Sequence, residues 1–225
     1  MIIFKTKRES EHPLLSVASL RLKKDLDELS TRRFSANHAN TSISTPYLEG
    51  IYIYIPIQFH IKPFNNSLYS NAVFSTSIKV SPGYPFKPPE IYVLNQVYHP
   101  NINIDTGAVN MKILQSQYWK GNFTINDIMH SFEILINEPD LVCIPDNEIN
   151  KEMVNLYISD YKEFCCRVKM TMDGGVFYER YTFEYNYGQA FKRRRIRNEP
   201  CGCAKRSRLY EEYQEIRAQI EMKNE

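Results

Sequence analysis

The sequence predicts an α+β domain, and three observations lead to that fold class. Apolar residues recur at helical spacing over residues 16–29, which is typical of an amphipathic helix. Residues 51–62, 72–80 and 90–94 are rich in β-branched and aromatic side chains and predict an antiparallel meander of four short strands. That count interprets residues 51–62 as two strands, or one bent edge strand, around Pro56. Helical patterns fill the second half, so an antiparallel meander packed against helices is expected.

The residues after Trp119 predict three C-terminal helices. Thr124 can cap the first of them, and Asp127 stands three residues later, as in a capping box. Pro139 ends this helix because proline has no backbone donor. Residues 150–158 and 161–172 predict the second and third helices.

The chain divides into three parts on these patterns. Residues 1–15 are interpreted as a flexible docking tail and residues 16–175 as the folded domain, in which the polar stretch 30–45 is a loop. Residues 176–225 form an extension that is first aromatic, then basic, and ends in a short helix. The aromatic part alternates from Tyr181 to Tyr187 like a strand that packs on the domain or on a partner.

Composition favours an intracellular protein. Of 225 residues, 43% are hydrophobic and 24% are charged, which is ordinary for a soluble domain, and no apolar run is long enough to span a membrane. Five cysteines are an odd number without framework spacing, which indicates a reducing compartment. Residues 192–208 hold eight Lys or Arg against one Glu. We therefore expect a cytoplasmic and nuclear location, with this tail as an import signal, an acidic-surface contact or only a solubilising segment.

The segment from Tyr98 to Trp119 carries the clearest pattern of polar residues. Pro100 fixes its backbone, and the amide of Asn101 needs hydrogen-bond partners if it is buried. From the residues alone, this is either a self-supporting Asx-type turn or an amide presented to a ligand.

The order of residues in this segment resembles the active-site region of ubiquitin-conjugating enzymes. The matching motifs are His99-Pro100-Asn101, Gly107-Ala108-Val109, Ile113-Leu114, Trp119, and the preceding proline-rich loop Tyr84-Pro85-Phe86-Lys87-Pro88-Pro89. Within that family the chain is similar to the branch that conjugates the neddylation modifier. The residues behind this likeness are the helix from Leu20 to Leu29, Tyr98 to Ile102, Phe123 to Asn126, Glu138-Pro139, Asn150 to Glu152 and the Met1-Ile2-Ile3-Phe4 tip.

The resemblance implies an altered catalytic centre. The family's thioester cysteine stands at the third position after the glycine, and here that position is Asn110. One extra residue lies on each side of it, and Lys120-Gly121 stands where a proline is expected after Trp119. An amide is not a usable nucleophile at neutral pH, so the expected protein is an inactive variant that binds pathway partners. Asn101 then occupies the oxyanion-stabilising position.

Two other interpretations stay open at this stage. The chain could be an active transferase that uses Cys143, in the loop after Pro139, as a substitute nucleophile. It could also be a nuclear scaffold defined by the basic tail, although we favour an assignment without a nucleic-acid partner. Cys201 and Cys203 are too few ligands for a metal site, so no metal or cofactor is expected.

The family resemblance also implies the partners: a ubiquitin-like modifier, its activating enzyme and a RING-type ligase. The residues expected to bind them are Ile3, Phe4, Leu20, Lys23, Lys24 and Phe86. His99, Pro100 and Trp119 are expected to be structural.

Overall fold

The computed structural model describes residues 5–6, 17–30, 39–61, 68–178 and 180–187. These residues form an N-terminal helix, an antiparallel sheet and a set of C-terminal helices, so the predicted α+β fold is confirmed. The strands are β1 (Lys5–Thr6), β2 (Ala39–Ile43), β3 (Tyr47–Glu49), β4 (Tyr52–Ile61), β5 (Val73–Val80), β6 (Glu90–Val93), β7 (Gly175–Phe177) and β8 (Tyr181–Phe183). The helices are α1 (Val17–Ser30), α2 (Ile125–Asn137), α3 (Glu148–Ser159) and α4 (Tyr161–Asp173), with a 3-10 turn at Lys112–Leu114.

The main sheet is a meander in which β4 has two short partner strands on one side. Its order is β1-β3-β4-β5-β6, and β2 also pairs with β4. All pairs are antiparallel except the short parallel pair of β1 with β3. Strands β2 and β3 thus share one edge of β4, while β5 covers the other edge.

The interpretation of residues 51–62 as two strands or one bent edge strand was wrong. β4 is a single strand at the centre of the sheet, and Pro56 lies in its middle. The Pro56 carbonyl accepts from Ser44 N (2.9 Å), so its ring nitrogen also faces the gap between β2 and β3. The missing donor therefore falls where no ladder bond is needed, which is why proline is tolerated there.

The interpretation of residues 30–45 as a loop was also wrong in part, because β2 lies within that range. Its residues are Ala-Asn-Thr-Ser-Ile, and they lack the alternation of a half-buried strand. The strand exists because β4 offers a partner in register, with Thr41 opposite Phe59 and Ile43 opposite Ile57. Tertiary pairing has overridden weak local propensity.

Helix α2 packs on the inner face of the sheet and carries the predicted cap. Thr124 Oγ1 accepts from Asp127 N (3.2 Å), and the Asp127 carboxylate accepts from Thr124 N (2.8 Å), which completes a capping box. Phe132 of this helix is fully buried and meets Phe59 edge-on, with ring centroids 4.9 Å apart. Since Glu138 follows directly as the C-cap, the proline at 139 comes just after the helix end.

The C-terminal hairpin of β7 and β8 belongs to the packed domain. Its buried side chains, Phe177, Tyr181 and Phe183, join the same apolar core as the sheet and helices. Tyr181 also donates its hydroxyl to Asp105 (2.8 Å), on the turn that leads to Asn110. The described core therefore continues past residue 175, the domain end expected from the sequence.

Several sequence expectations concern other parts of the chain. The tip with Ile3 and Phe4, the basic stretch 192–208 and the terminal helix lie outside the described residues. Among the helices that the structure describes, none has the length and apolar character needed to cross a bilayer.

Candidate functional site

The imidazole of His99 stabilises the turn that this residue begins. His99 is fully buried, its Nδ1 accepts from Asn101 N (3.0 Å), and its Nε2 lies 3.1 Å from Leu135 O. The ring is therefore neutral and donates from Nε2 to the carbonyl. Burial lowers the pKa of His99 to about 3, so it takes no part in proton transfer near neutral pH.

Asn150 on α3 supports the same turn from the other side. It is fully buried, and its Nδ2 donates to Pro100 O (2.9 Å) and Ile102 O (2.8 Å), with His99 O at 3.1 Å. Sequence reasoning used Asn150 only as a family marker and missed this contact. The available signal was a polar residue in the first turn of a helix, at a position that faces the core.

Asn101, expected at the oxyanion position, is fully buried and spends its amide on the loop after α2. Its Nδ2 donates to Asp140 O (2.6 Å) and Cys143 O (2.8 Å), and its Oδ1 accepts from Asp140 N (3.0 Å). The side-chain amide has two hydrogens, and these two carbonyl oxygens accept both of them. In this arrangement Asn101 holds the loop and has no hydrogen left to donate to a reacting group.

Asn110 lies at the end of a short, tightly fixed segment. Gly107 reverses the chain with φ +71°, and a side chain there would come within 2.0 Å of Val93 O, so only glycine fits. The backbone N–H of Asn110 donates to Asn101 O (2.8 Å). The side chain of Asn110 is partly exposed, between buried Val109 and Met111.

Cys143 is next to this site but its sulfur is protected. The residue is 7% exposed, and Gln115 Nε2 donates to its Sγ at 2.9 Å. Burial raises the pKa of the Cys143 thiol, so the reactive thiolate is disfavoured at neutral pH. Burial likewise raises the pKa of Cys165 and of Cys166, both in α4.

An open groove of about 400 Å³ begins one residue after Asn110. It runs between the segment that follows Asn110 and the exposed side of α2. Its apolar lining is Met111, Ile113, Tyr118, Phe123, Ile134 and Leu135, and its polar members are Lys112, Ser131, Glu138 and Asp140. Its mostly apolar lining suits apolar groups of a ligand. Within the described part of the chain, no group of three or more His, Cys, Asp or Glu is placed to hold a metal ion.

Comparison with known proteins then places the chain. The family model described as "Ubiquitin-conjugating enzyme" matches residues 21–172. The chain belongs to the ubiquitin-conjugating enzyme family. Its fold is that of the family as well: the chain superposes on a solved structure of S. cerevisiae Ubc12 with a TM-score of 0.62 at 24% identity, over 78% of this chain and 89% of the other.

Curated relatives within the family include two enzymes named for NEDD8. The chain is 30% identical to the Nedd8-conjugating enzyme UbcE2M of Drosophila melanogaster, over 76% of this chain and 86% of the relative. It is also 30% identical to the NEDD8-conjugating enzyme UBC12 of Yarrowia lipolytica, over 72% of this chain and 81% of the relative.

Of the residues expected to bind partners, the four that the structure describes lie on one helix and one loop. On α1, Leu20 is 52% exposed and Lys23 and Lys24 are exposed. Phe86, in the proline-rich loop, is 79% exposed, which is unusual for a large aromatic side chain. Trp119 is buried beneath this loop and donates its indole N–H to Pro85 O (2.7 Å).

Proposed function

We propose that this chain works in the conjugation of a ubiquitin-like modifier of the NEDD8 type, as a variant that binds pathway partners without carrying the modifier as a thioester at the family's position. Family membership and the NEDD8-conjugating relatives support the pathway. The loss of chemistry is inferred from Asn110, which the order of the motifs aligns with the family's cysteine.

The chemistry of the neighbouring groups supports the same proposal. A thioester forms only when a thiolate attacks an activated carboxyl group, and the Asn110 amide offers no such nucleophile. The fixed hydrogen bonds of Asn101 to Asp140 and Cys143 also leave no free amide hydrogen to stabilise an oxyanion.

The binding role rests on surfaces that keep apolar groups exposed. Phe86 and Leu20 offer area for a ligase or activating enzyme, and the groove after Asn110 offers a track for a modifier's C-terminal residues.

The second candidate function is transfer through Cys143. Its proximity favours it, because the Asn101 amide binds its carbonyl and Gln115, from the segment after Asn110, binds its sulfur. Burial and the raised pKa of the thiol weigh against it.

A charging assay separates the two candidates. The full-length protein is incubated with NEDD8, its activating enzyme and ATP, and separated on gels with and without reductant. We expect no reductant-sensitive band for the parent or for Cys143→Ser, and weak charging of Asn110→Cys, because the inserted residues displace the attacking atom. A band on the parent that disappears in Cys143→Ser would overturn the proposal in favour of transfer.

Direct binding tests the other half of the proposal. Calorimetric titration of the parent with NEDD8, with the activating enzyme and with a panel of RING domains should give saturable heats for at least one of them. A parent protein that binds none of these probes would refute the binding role.

The N-terminal tip is proposed to dock on the activating enzyme. Ile3 and Phe4 would each contribute roughly 1.5–3 kcal/mol on burial, before the cost of ordering the tail. Replacing both with Ala should weaken that binding strongly, and unchanged affinity would show that the tip has no docking role.

We also propose that the protein distributes between cytoplasm and nucleus, with residues 192–208 as an import signal. Deleting this stretch from a fluorescently tagged chain should shift the protein toward the cytoplasm. An unchanged distribution would leave the stretch without an import role.

A further inference from the structure

The segment after Trp119 is held by a single side chain from α1. Arg21 Nη1 donates to Gly121 O (3.1 Å), and its Nη2 donates to Asn122 O (3.1 Å) and Phe123 O (3.0 Å). One guanidinium thus binds three consecutive backbone carbonyls, about 100 residues away along the chain. Its planar fork of donors makes this possible, and the single ammonium of a lysine could not reproduce it.

Arg21 is itself fixed by a buried carboxylate. Its Nε donates to Asp25 Oδ1 (2.8 Å), one helical turn away, and Asp25 is only 1% exposed. Asp25 also accepts a hydrogen bond from the hydroxyl of Tyr84. Burial, reinforced by this hydrogen bond, raises the pKa of Tyr84 well above its ordinary value, so the phenol stays protonated and donates.

The same segment touches the proline-rich loop that carries Phe86. A Cβ built on Gly121 would lie 3.6 Å from Pro85 O and 3.9 Å from a ring carbon of Phe86, so the glycine faces this loop with room for one methyl group between them. On the buried side, the hydrogen bond from the Trp119 indole to Pro85 O joins the two loops. Arg21, Asp25 and Tyr84 therefore link α1 to both loops.

The local sequence after Trp119 does little to restrain its own backbone. Glycine has more backbone freedom than any other residue type, and Gly121 lies after Trp119 in the stretch where the family resemblance implies a restraining proline. Charge-assisted hydrogen bonds from a guanidinium to three carbonyls restrict the same stretch from outside the segment.

We propose that Arg21 is a positioning residue that holds residues 120–123, and through them Phe86, in the arrangement that a RING domain recognises. This inference rests on the proposed function, since it concerns the surface that binds the ligase. The Arg21 fork supplies the restraint that the local sequence lacks, and partners then bind without first ordering the loop.

Two variants and two measurements test this role. Arg21→Gln leaves Asp25 buried without its cation and could unfold α1, so Arg21→Lys is the decisive variant because it keeps the charge and loses the fork. Lys162→Gln removes a positive charge from an exposed position on α4 and serves as the control. Each folded variant is followed by hydrogen exchange of the amides of residues 120–123, and by calorimetric titration with a RING domain that binds the parent.

We expect Arg21→Lys to exchange these amides roughly tenfold faster and to bind the RING domain roughly tenfold more weakly, with NEDD8 binding and the unfolding temperature nearly unchanged. Gly121→Ala in the Arg21→Lys background should recover much of the lost affinity. The added methyl meets its neighbours at ordinary contact distances and narrows the conformations open to the loop.

The opposite results are equally definite. Parent-like exchange at residues 120–123 in Arg21→Lys overturns the inference, as does unchanged affinity in a protein whose Phe86→Ala variant loses binding. If no RING domain binds the parent, the proposed ligase contact fails, and the exchange rates alone decide whether Arg21 holds the segment.

Discussion

The turn at residues 99–101 and the junction where residues 120–123 meet the loop of Phe86 are held by the same kind of hydrogen bonding. They differ in whether their side chains are buried or exposed. In each, one side chain from elsewhere in the chain binds several backbone carbonyls: Asn150 at the turn and Arg21 at the junction. At the turn, every polar group is directed inward, and the result is a rigid support without a free reactive group. At the junction, the same kind of bonding fixes residues 121–123, which lie beside the exposed side chain of Phe86.

Because of this difference, we expect the turn to affect the stability of the protein and the junction to affect its binding of partners. Substitutions at the turn should lower the free energy of unfolding, because they leave buried carbonyls without partners. Substitutions of the exposed side chains at the junction should alter binding and leave unfolding almost unchanged.

The largest effect is expected for Asn150→Ala. The change removes the donor shared by three backbone carbonyls and should reduce the free energy of unfolding by about 3 kcal/mol. Urea unfolding followed by circular dichroism measures the loss. Asn155→Ala, at an exposed position of the same helix, is the matched control and should change stability by less than about 0.5 kcal/mol. Equal losses in both variants would remove the special role of Asn150.

The next effect concerns pH and His99. Its pKa is about 3 in the folded protein, against an ordinary value near 6.5, so below pH 6.5 the unfolded chain takes up a proton that the folded protein does not. Stability supplied by neutral His99 is therefore present above pH 6.5 and is lost as the pH falls toward 3. Between pH 7 and 5 the loss should be about 2 kcal/mol.

His99→Gln isolates this contribution, because glutamine donates and accepts but does not titrate in this range. The difference in unfolding free energy between parent and variant should shrink as the pH is lowered from 7 to 5. A difference that stays constant over this range would exclude His99 as the source of acid sensitivity.

Phe86→Ala probes the other region. We expect about tenfold weaker binding to a RING domain that recognises the parent, which corresponds to about 1.4 kcal/mol, with the urea midpoint unchanged. Leu94→Ala, which also removes an exposed apolar side chain, is the control and should bind like the parent. A large loss of stability in Phe86→Ala would contradict the separation of the two regions.

The smallest effect is expected at the contact between the hairpin and the turn before Asn110. Tyr181→Phe removes one partly buried hydrogen bond to Asp105 and should cost about 1 kcal/mol in thermal or urea unfolding. Arg180→Ala removes a mostly exposed ion pair with the same carboxylate and should cost less than half as much. The reverse order would show that charge, rather than the buried hydroxyl, attaches the hairpin.

Local patterns predicted the elements that depend on local chemistry. Thr124 and Asp127 marked the start of α2 because a capping box is formed within one turn of helix. The same reasoning failed for β2, whose pairing with β4 is set by residues some 20 positions away. It failed again at Pro56, since only the completed sheet shows that its nitrogen faces a gap.

The motif order placed His99, Asn101, Asn110 and Cys143 in one region, but it did not give the bonds between them. In the structure Asn101 is hydrogen-bonded to the other three residues. The partners of Asn101, at Asp140 and Cys143, lie about 40 positions along the chain, and sequence spacing carries no information on which way the amide turns. The contacts of Arg21 with residues 121–123 were hidden for the same reason, because these partners are backbone carbonyls, which any residue type at those positions would offer.

The position of the only tryptophan in the sequence has a spectroscopic consequence. The Trp119 indole is 9% exposed, lies 5.7 Å from the Phe123 ring and 6.2 Å from the Tyr84 ring, and is hydrogen-bonded to Pro85 O. Light absorbed at the red edge of the aromatic band is therefore emitted from one point, between the two loops that surround Phe86. The wavelength and quenching of this emission report on that junction directly, without any attached dye.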